Sequence, residues 1–297
     1  MAYCLEENLD CSRTNEMSRW GRTHSYPIMR DLLKNKRGTI LDLVNHGLAM
    51  VDDELDSSAD PLGRLRYFQA IFQQSYSGKI IRASTQAQQA IADLGYALNE
   101  LSREHVLQFT DRTIGKHTYE EVLNFWKIEE QNLQRRWKIL DEATLDEITM
   151  GIGSLVASQF LYILDSPRVF NEFKQLVRAY GLAVKLADNL SDFRDDIRKG
   201  FVNISQENIH HVSGISVKDG RLTQINPEML ALSTGYMMNE YRRIEQAFAS
   251  ADRLMLFARA RRPIWDGRLD EILCVFGQFC HSWLDQAREV VCAETKH

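Results

Sequence analysis

Apolar positions recur along most of the chain with the spacing of an α-helix, beginning at about Lys36. The first such segment, 36–57, places five apolar side chains on one face: Leu41, Val44, Leu48, Val51 and Leu55. Spacings of three and four residues are typical of one buried helical face. The same pattern predicts helices at roughly 64–76, 80–106, 118–141, 144–164 and 167–199, and two or three more within 227–292.

Helix-breaking signals separate these segments. "SADPLG" (58–63) interrupts the first pattern, and Pro167 and Gly200 are suited to begin and end the long acidic helix. Two stretches lack the pattern: 1–24, predicted to be an irregular N-terminal arm, and 200–226, predicted to be a long loop. No run of alternating apolar and polar residues indicates a lasting strand. We therefore expect an all-α fold, with one domain over 25–297.

Composition narrows the class of protein. Only five prolines and 16 glycines occur in 297 residues, which favours helix, and the net charge of −5 without a basic stripe argues against a nucleic-acid partner. No apolar run approaches the roughly 18 residues of a membrane span. The five cysteines include no CxxC pair, so neither a zinc site nor a disulfide framework is expected. These features, with a polar N-terminal segment, predict a cytoplasmic protein whose oligomeric state stays open.

The segment "LADNLSDFRDDIR" (186–198) places like charges on one helical face. Asp188, Asp192 and Asp196 follow one another at intervals of four residues. Each such pair costs a helix roughly 0.2–0.5 kcal/mol, and the helix C-terminus also disfavours anions. A solvated acidic face is the ordinary interpretation of such a stripe. A bound cation would instead turn the repulsion into attraction.

A second acidic cluster, "MVDDELDSS" (50–58), lies in the first predicted helix. Asp52 falls on the same stripe as Leu41 and Leu55, where the pattern calls for a core residue, and Asp56 lies at the edge of that stripe. A carboxylate that faces inward must be paired, bound to metal or placed in a wet cavity. Two such clusters facing each other across a bundle would suit Mg²⁺, which is held by carboxylates together with substrate phosphates.

DDxxD on one helix and DxxxDxxxD on another, about 135 residues later, resemble the squalene/phytoene synthase family. The resemblance extends to the neighbouring sequence, and three segments carry it: "SYPIMRDLLKNKRGTILDLVNHGLAMVDDELD" (25–56), "TLDEITMGIGSLVASQFLYIL" (144–164) and "GLAVKLADNLSDFRDDIRKGFVNIS" (181–205). It covers residues from about 25 to 205, whereas the C-terminal third resembles the family only as unspecific helices.

This resemblance implies an isoprenoid-synthase helical bundle around a central cavity. It implies Mg²⁺ ions that bind an allylic prenyl diphosphate, neutralise the departing diphosphate and release a carbocation between apolar walls. The implied metal ligands, which are also the implied catalytic residues, are Asp52, Asp56, Asp188, Asp192 and Asp196. Lys199 and Arg198, with Lys185 as a further cation, are the expected contacts to the diphosphate.

Two departures from the family pattern concern the acceptor. Ala49 and Ser191 stand where family members commonly carry arginines that help to hold diphosphates. Fewer cations favour one diphosphate donor and an uncharged acceptor, as in the related prenyltransferases of secondary metabolism that alkylate aromatic compounds such as carbazoles. Three alternatives stay open: a head-to-head squalene- or phytoene-type synthase, a terpene cyclase, and a non-catalytic helical interaction protein.

Overall fold

The computed structural model describes residues 36–103, 109–164, 167–261 and 267–294, and these are predominantly helical, which confirms the all-α prediction. The helices are α1 (Lys36–Ser57), α2 (Pro61–Tyr76), α3 (Gln86–Arg103), α4 (Phe109–Gln134), α5 (Glu142–Leu164), α6 (Pro167–Ser191), α7 (Phe193–Lys199), α8 (Thr234–Arg261) and α9 (Gly267–Glu294). The predicted N-terminal arm, 1–24, lies outside the described residues.

Helix α1 forms as its apolar pattern predicts. Leu41, Val44, Val51 and Leu55 are buried, and Leu48 is partly buried against the same core. The predicted break after α1 is confirmed at 58–60, but α2 begins earlier than the predicted 64, with a proline, Pro61, at its first position. The carboxylate of the residue before it, Asp60, accepts a hydrogen bond of 2.9 Å from a first-turn amide, so a side chain caps the helix.

The main hydrophobic core is shared by helices α1 to α6, α8 and α9. Helix α6 packs against α5, α8 and α9, and it meets α5 at backbone distance. Gly153 of α5 faces Gly181 of α6 so closely that a Cβ on either glycine would overlap the backbone of the other. These small residues therefore let the acidic segment of α6 lie directly beside α5.

Part of the predicted loop 200–226 is β-structure, so that prediction was wrong there. A two-stranded antiparallel hairpin forms from β2 (Ile215–Lys218) and β3 (Arg221–Ile225), and β1 (Val212–Ser213) pairs with β4 (Ala231–Leu232). Asp219 and Gly220 both have positive φ, as a tight two-residue hairpin turn requires. The segment "KDGR" (218–221) is a hairpin signal within the stretch that was predicted to be a loop.

The predicted single helix from Pro167 to Lys199 is interrupted at Asp192. Helix α6 ends at Ser191, whose hydroxyl donates a hydrogen bond of 2.8 Å to the Ala187 carbonyl one turn earlier. Such bonds compete with the helical amide and bend helices. The predicted stop is confirmed, because Gly200 ends α7 in the left-handed conformation with φ +89°. The aspartate stripe therefore crosses a bend.

Two further helices differ from their predicted bounds. The helix predicted at 80–106 is shorter, at 86–103, and the one predicted at 118–141 lies earlier, at 109–134. Cys274, Cys280 and Cys292 are free thiols. Within the described ranges, no helix is both long and apolar enough to cross a membrane.

Candidate functional site

The two aspartate motifs lie in one cluster of charges. Lys199, at the end of α7, places its Nζ 2.5 Å from Asp56 Oδ2 on α1, and its charge also acts on Asp52 and Asp196. Lys185 of α6 acts on the same two aspartates. The fold thus brings together side chains that are about 135 residues apart in the sequence.

Asp52 is accessible to water and yet surrounded by protein. Its side chain is exposed, but desolvation, followed by the charges of Glu129 and Asp56, raises its pKa to about 8. Water therefore reaches the side chain of Asp52, although protein atoms fill most of its surroundings. Asp52 is therefore not buried in the core, although the helical pattern places it on the apolar stripe of Leu41 and Leu55. The ammonium groups of Lys199 and Lys185 lower its pKa only in part.

Asp196 has a similar environment on the opposite side of the cluster. Its pKa is raised to about 7, chiefly by burial; the charge of Lys185 opposes this rise, whereas the charges of Asp188 and Asp192 add to it. The Asn203 amide donates a hydrogen bond of 2.7 Å to its Oδ2. Burial is therefore the main reason that the charged form of Asp196 is disfavoured.

Glu129 is a member of this cluster that the sequence analysis missed. It lies on α4, is only 9% exposed, and has a pKa raised chiefly by burial. The side-chain amide of Asn132 donates to it at 3.2 and 3.4 Å. A usable signal was present: Glu129 continues the buried stripe of Val122, Trp126 and Leu133 at helical spacing, as Asp52 does on α1.

Lys185 is the most enclosed cation of the cluster. Its Nζ lies 2.6 Å from Asp188 Oδ2, three residues along α6. Burial alone would lower the pKa of Lys185, but the charges of Asp188, Asp196 and Glu129 outweigh burial and raise it. Lys185 therefore stays protonated at neutral pH.

The other residues predicted from the sequence occupy the edge of the cluster. Arg198 is exposed and pairs with Asp195 at 3.2 Å, so its guanidinium is engaged beside the site rather than within it. Asp192 is half-buried at the bend between α6 and α7. Ala49 is exposed on α1, one turn before the first motif. Of the two residues predicted to contact the diphosphate, Lys199 lies within the aspartate cluster and Arg198 lies at its edge.

The carboxylates of this cluster are the type of ligand that suits Mg²⁺, but their side chains do not converge on one point. Six carboxyl groups share the cluster with two ammonium groups; the carboxyl groups belong to Asp52, Asp56, Glu129, Asp188, Asp192 and Asp196. Carboxylate oxygens are the ligands that Mg²⁺ prefers. Among the described residues, however, no three acidic, histidine or cysteine side chains converge closely enough to hold a metal. Lys199 and Lys185 form ion pairs with Asp56 and Asp188, respectively. To bind Mg²⁺, each of these two carboxylates would have to replace its lysine ammonium group by the metal ion.

Comparison of the chain with models of known protein families and with curated proteins found no match. The functional argument therefore rests on the residues and the geometry of this cluster.

Proposed function

We propose that this protein is a Mg²⁺-dependent prenyltransferase of the squalene/phytoene synthase type, which ionises an allylic prenyl diphosphate and transfers the prenyl group to an uncharged acceptor. The observation that supports the proposal is the convergence of two aspartate motifs around Lys199, which pairs with Asp56 at 2.5 Å and acts on Asp196. We infer a helical bundle with the reaction cavity beside these motifs.

The energetics of the cluster favour a binding site over a purely structural ion network. Asp52 and Asp196 have pKa values raised to about 8 and about 7, so their charged forms are disfavoured in the folded chain. Carboxylates that served only stability would be expected to have lowered pKa values. A divalent cation would relieve the cost of ionising such partly desolvated, neighbouring carboxylates, and strongly perturbed pKa values are typical of functional sites.

Each group in the cluster has a role in this proposal. Asp52, Asp56, Asp188, Asp192 and Asp196 would hold Mg²⁺, which supplies positive charge for the departing diphosphate. Lys199 and Lys185 would bind phosphate oxygens once those carboxylates no longer engage them. Their ammonium groups favour departure of the diphosphate because they stabilise the negative charge that develops on the leaving oxygen.

The proposal of an uncharged acceptor rests on two positions of the sequence that lack a cation. A head-to-head synthase must hold two diphosphates, yet Ala49 and Ser191 contribute no charge at the two positions where the resembled family has arginines. Ser191 instead bends the helix through its bond to Ala187. We therefore propose a neutral acceptor, with aromatic compounds such as carbazoles as the first class to test, and a role in cytoplasmic secondary metabolism.

The direct test measures diphosphate release and products. The purified full chain is incubated with Mg²⁺ and geranyl, farnesyl or geranylgeranyl diphosphate, each with and without a carbazole acceptor. We expect release that EDTA abolishes and a prenylated acceptor. Asp196→Asn should abolish turnover, whereas Asp195→Asn should retain it, because Asp195 pairs with Arg198 at the edge of the site.

The products separate the alternatives. A C30 or C40 hydrocarbon formed from one donor alone would establish a head-to-head synthase and refute the uncharged acceptor. A cyclic product with the carbon number of the donor would establish a terpene cyclase. No release with any of the three donors would refute enzymatic prenyl chemistry and favour a helical interaction protein.

A further inference from the structure

A chain of hydrogen bonds connects the carboxylate of Glu129 with that of Asp196. Asn132 donates from Nδ2 to Glu129 at 3.2 Å, and Asn203 donates from Nδ2 to Asp196 at 2.7 Å. Arg135 joins the two asparagines, since its Nε donates to Asn132 Oδ1 at 2.7 Å and its Nη2 donates to Asn203 Oδ1 at 2.6 Å. One guanidinium therefore reaches both ends through two amides.

The direction of these bonds is determined by chemistry. An arginine has only donors, so each asparagine must turn its Oδ1 toward Arg135. The amide nitrogens of Asn132 and Asn203 must then face Glu129 and Asp196, which accept. A flipped amide would lose both of its bonds at once. The guanidinium thus sets the orientation of two amide donors on two different structural segments.

Arg135 is well placed to keep this role. It is only 6% exposed, and its Nη1 also donates to the Val202 carbonyl at 3.1 Å. Burial lowers its pKa to about 10, against the opposing charges of Glu129 and Asp196, so it stays a cation at neutral pH. A lysine at this position could not span both amides, because its ammonium is a compact point charge rather than a planar fork.

We propose that Arg135 is a positioning residue, which holds Glu129 and Asp196 in the orientation that the site requires by acting through Asn132 and Asn203. The inference rests on the proposed Mg²⁺ site and extends it to helix α4. With Arg135 in place, the carboxylates of Glu129 and Asp196 are held in one orientation. Loss of Arg135 would let these two carboxylates rotate. Residues that orient metal-binding carboxylates typically change metal affinity about 10- to 100-fold when they are replaced.

The neighbouring arginine provides a matched control. Arg136, in the turn that follows α4, bonds to the end of α7, since its Nε and Nη2 donate to the Lys199 carbonyl at 2.8 and 2.6 Å. Within the described part of the chain, Arg136 forms no hydrogen bond to Asn132 or Asn203. Arg136→Lys therefore weakens a neighbouring contact, to the Lys199 carbonyl, without touching the two amides. A general loosening of this region would appear in both arginine variants, whereas loss of positioning would appear in Arg135→Lys alone.

The experiment measures Mg²⁺ binding to the full chain by isothermal titration calorimetry. Arg135→Lys should weaken Mg²⁺ about 10- to 100-fold, and Arg136→Lys should leave the affinity within about twofold. Because Arg135 is buried and its variant could unfold, Asn203→Ala is the second variant. It removes the donor to Asp196 together with the acceptor of Arg135 Nη2, and the same direction of change is expected. Equal Mg²⁺ affinity in Arg135→Lys, Asn203→Ala and the parent chain would overturn the inference.

A readout without metal separates this inference from the proposed function. In NMR spectra of the metal-free chain, the side-chain amide protons of Asn132 and Asn203 should exchange slowly with water, and Arg135→Lys should make both fast. Slow exchange that is unchanged in Arg135→Lys would refute the positioning role. Failure of the parent chain to bind Mg²⁺ would refute the metal site, while the amide measurement would still decide the role of Arg135.

Discussion

Replacing Asp52 by asparagine should stabilise the metal-free protein, although it removes a proposed metal ligand. The pKa of Asp52 is raised in the folded chain from its ordinary value of 3.8 to about 8, so the folded state binds a proton more tightly than the unfolded state. Stability then falls as the pH rises from about 4 to about 8, because the unfolded chain ionises first. Asparagine never ionises, and it avoids this loss.

The pKa difference sets a ceiling for the effect. About four pKa units at about 1.4 kcal/mol each correspond to roughly 6 kcal/mol at pH 8. The side chain of Asp52 is exposed, however, and water screens its charge, so we expect a gain of about 1–2 kcal/mol. For a chain of this size that gain is about 2–5 °C in Tm.

The assay is thermal unfolding of the parent chain and Asp52→Asn in EDTA, at about pH 4 and about pH 8. The gain should be near zero at the lower pH and largest at the higher pH. Asp195→Asn is the control, because this carboxylate pairs with Arg198 and its replacement should not stabilise. Added Mg²⁺ should reverse the order by stabilising only the chain that keeps Asp52. A pH-independent change, or a loss of stability at pH 8, would refute the reasoning.

Two further changes test the packing and the charges around the site. Gly153→Ala should cost about 1–3 kcal/mol in urea unfolding, because its Cβ would overlap the backbone of Gly181. Gly151→Ala is the control, since its Cβ would meet only a flexible isoleucine side chain at 3.0 Å, and an equal loss in both variants would contradict this account. Lys199→Met should lower the affinity for inorganic diphosphate with Mg²⁺ about tenfold in calorimetry, yet change the unfolding free energy by under about 1 kcal/mol. Unchanged affinity would show that the ammonium group paired with Asp56 does not contact phosphate.

Several features could be predicted from local sequence because their causes are local. The apolar stripe of α1, the capped start of α2 at Pro61 and the left-handed end of α7 at Gly200 all depend on residues within a few positions of one another. Other local signals were present but misinterpreted. The "KDGR" turn indicated a hairpin, and Ser191 indicated a bend only once its hydroxyl was known to bond the Ala187 carbonyl.

The sequence by itself determined that the chain is helical and that two of its helices contain closely spaced aspartates. Tertiary structure alone decided that the charge of Glu129 acts on Asp52. It also decided that Arg135 is linked to Glu129 and Asp196 through the side-chain amides of two asparagines. Helical spacing reports which residues share a face, because the helix repeats every 3.6 residues. It carries no information about which other helix that face meets. The meeting depends on how all the helices pack together, and this packing also creates the surroundings that shift the pKa values.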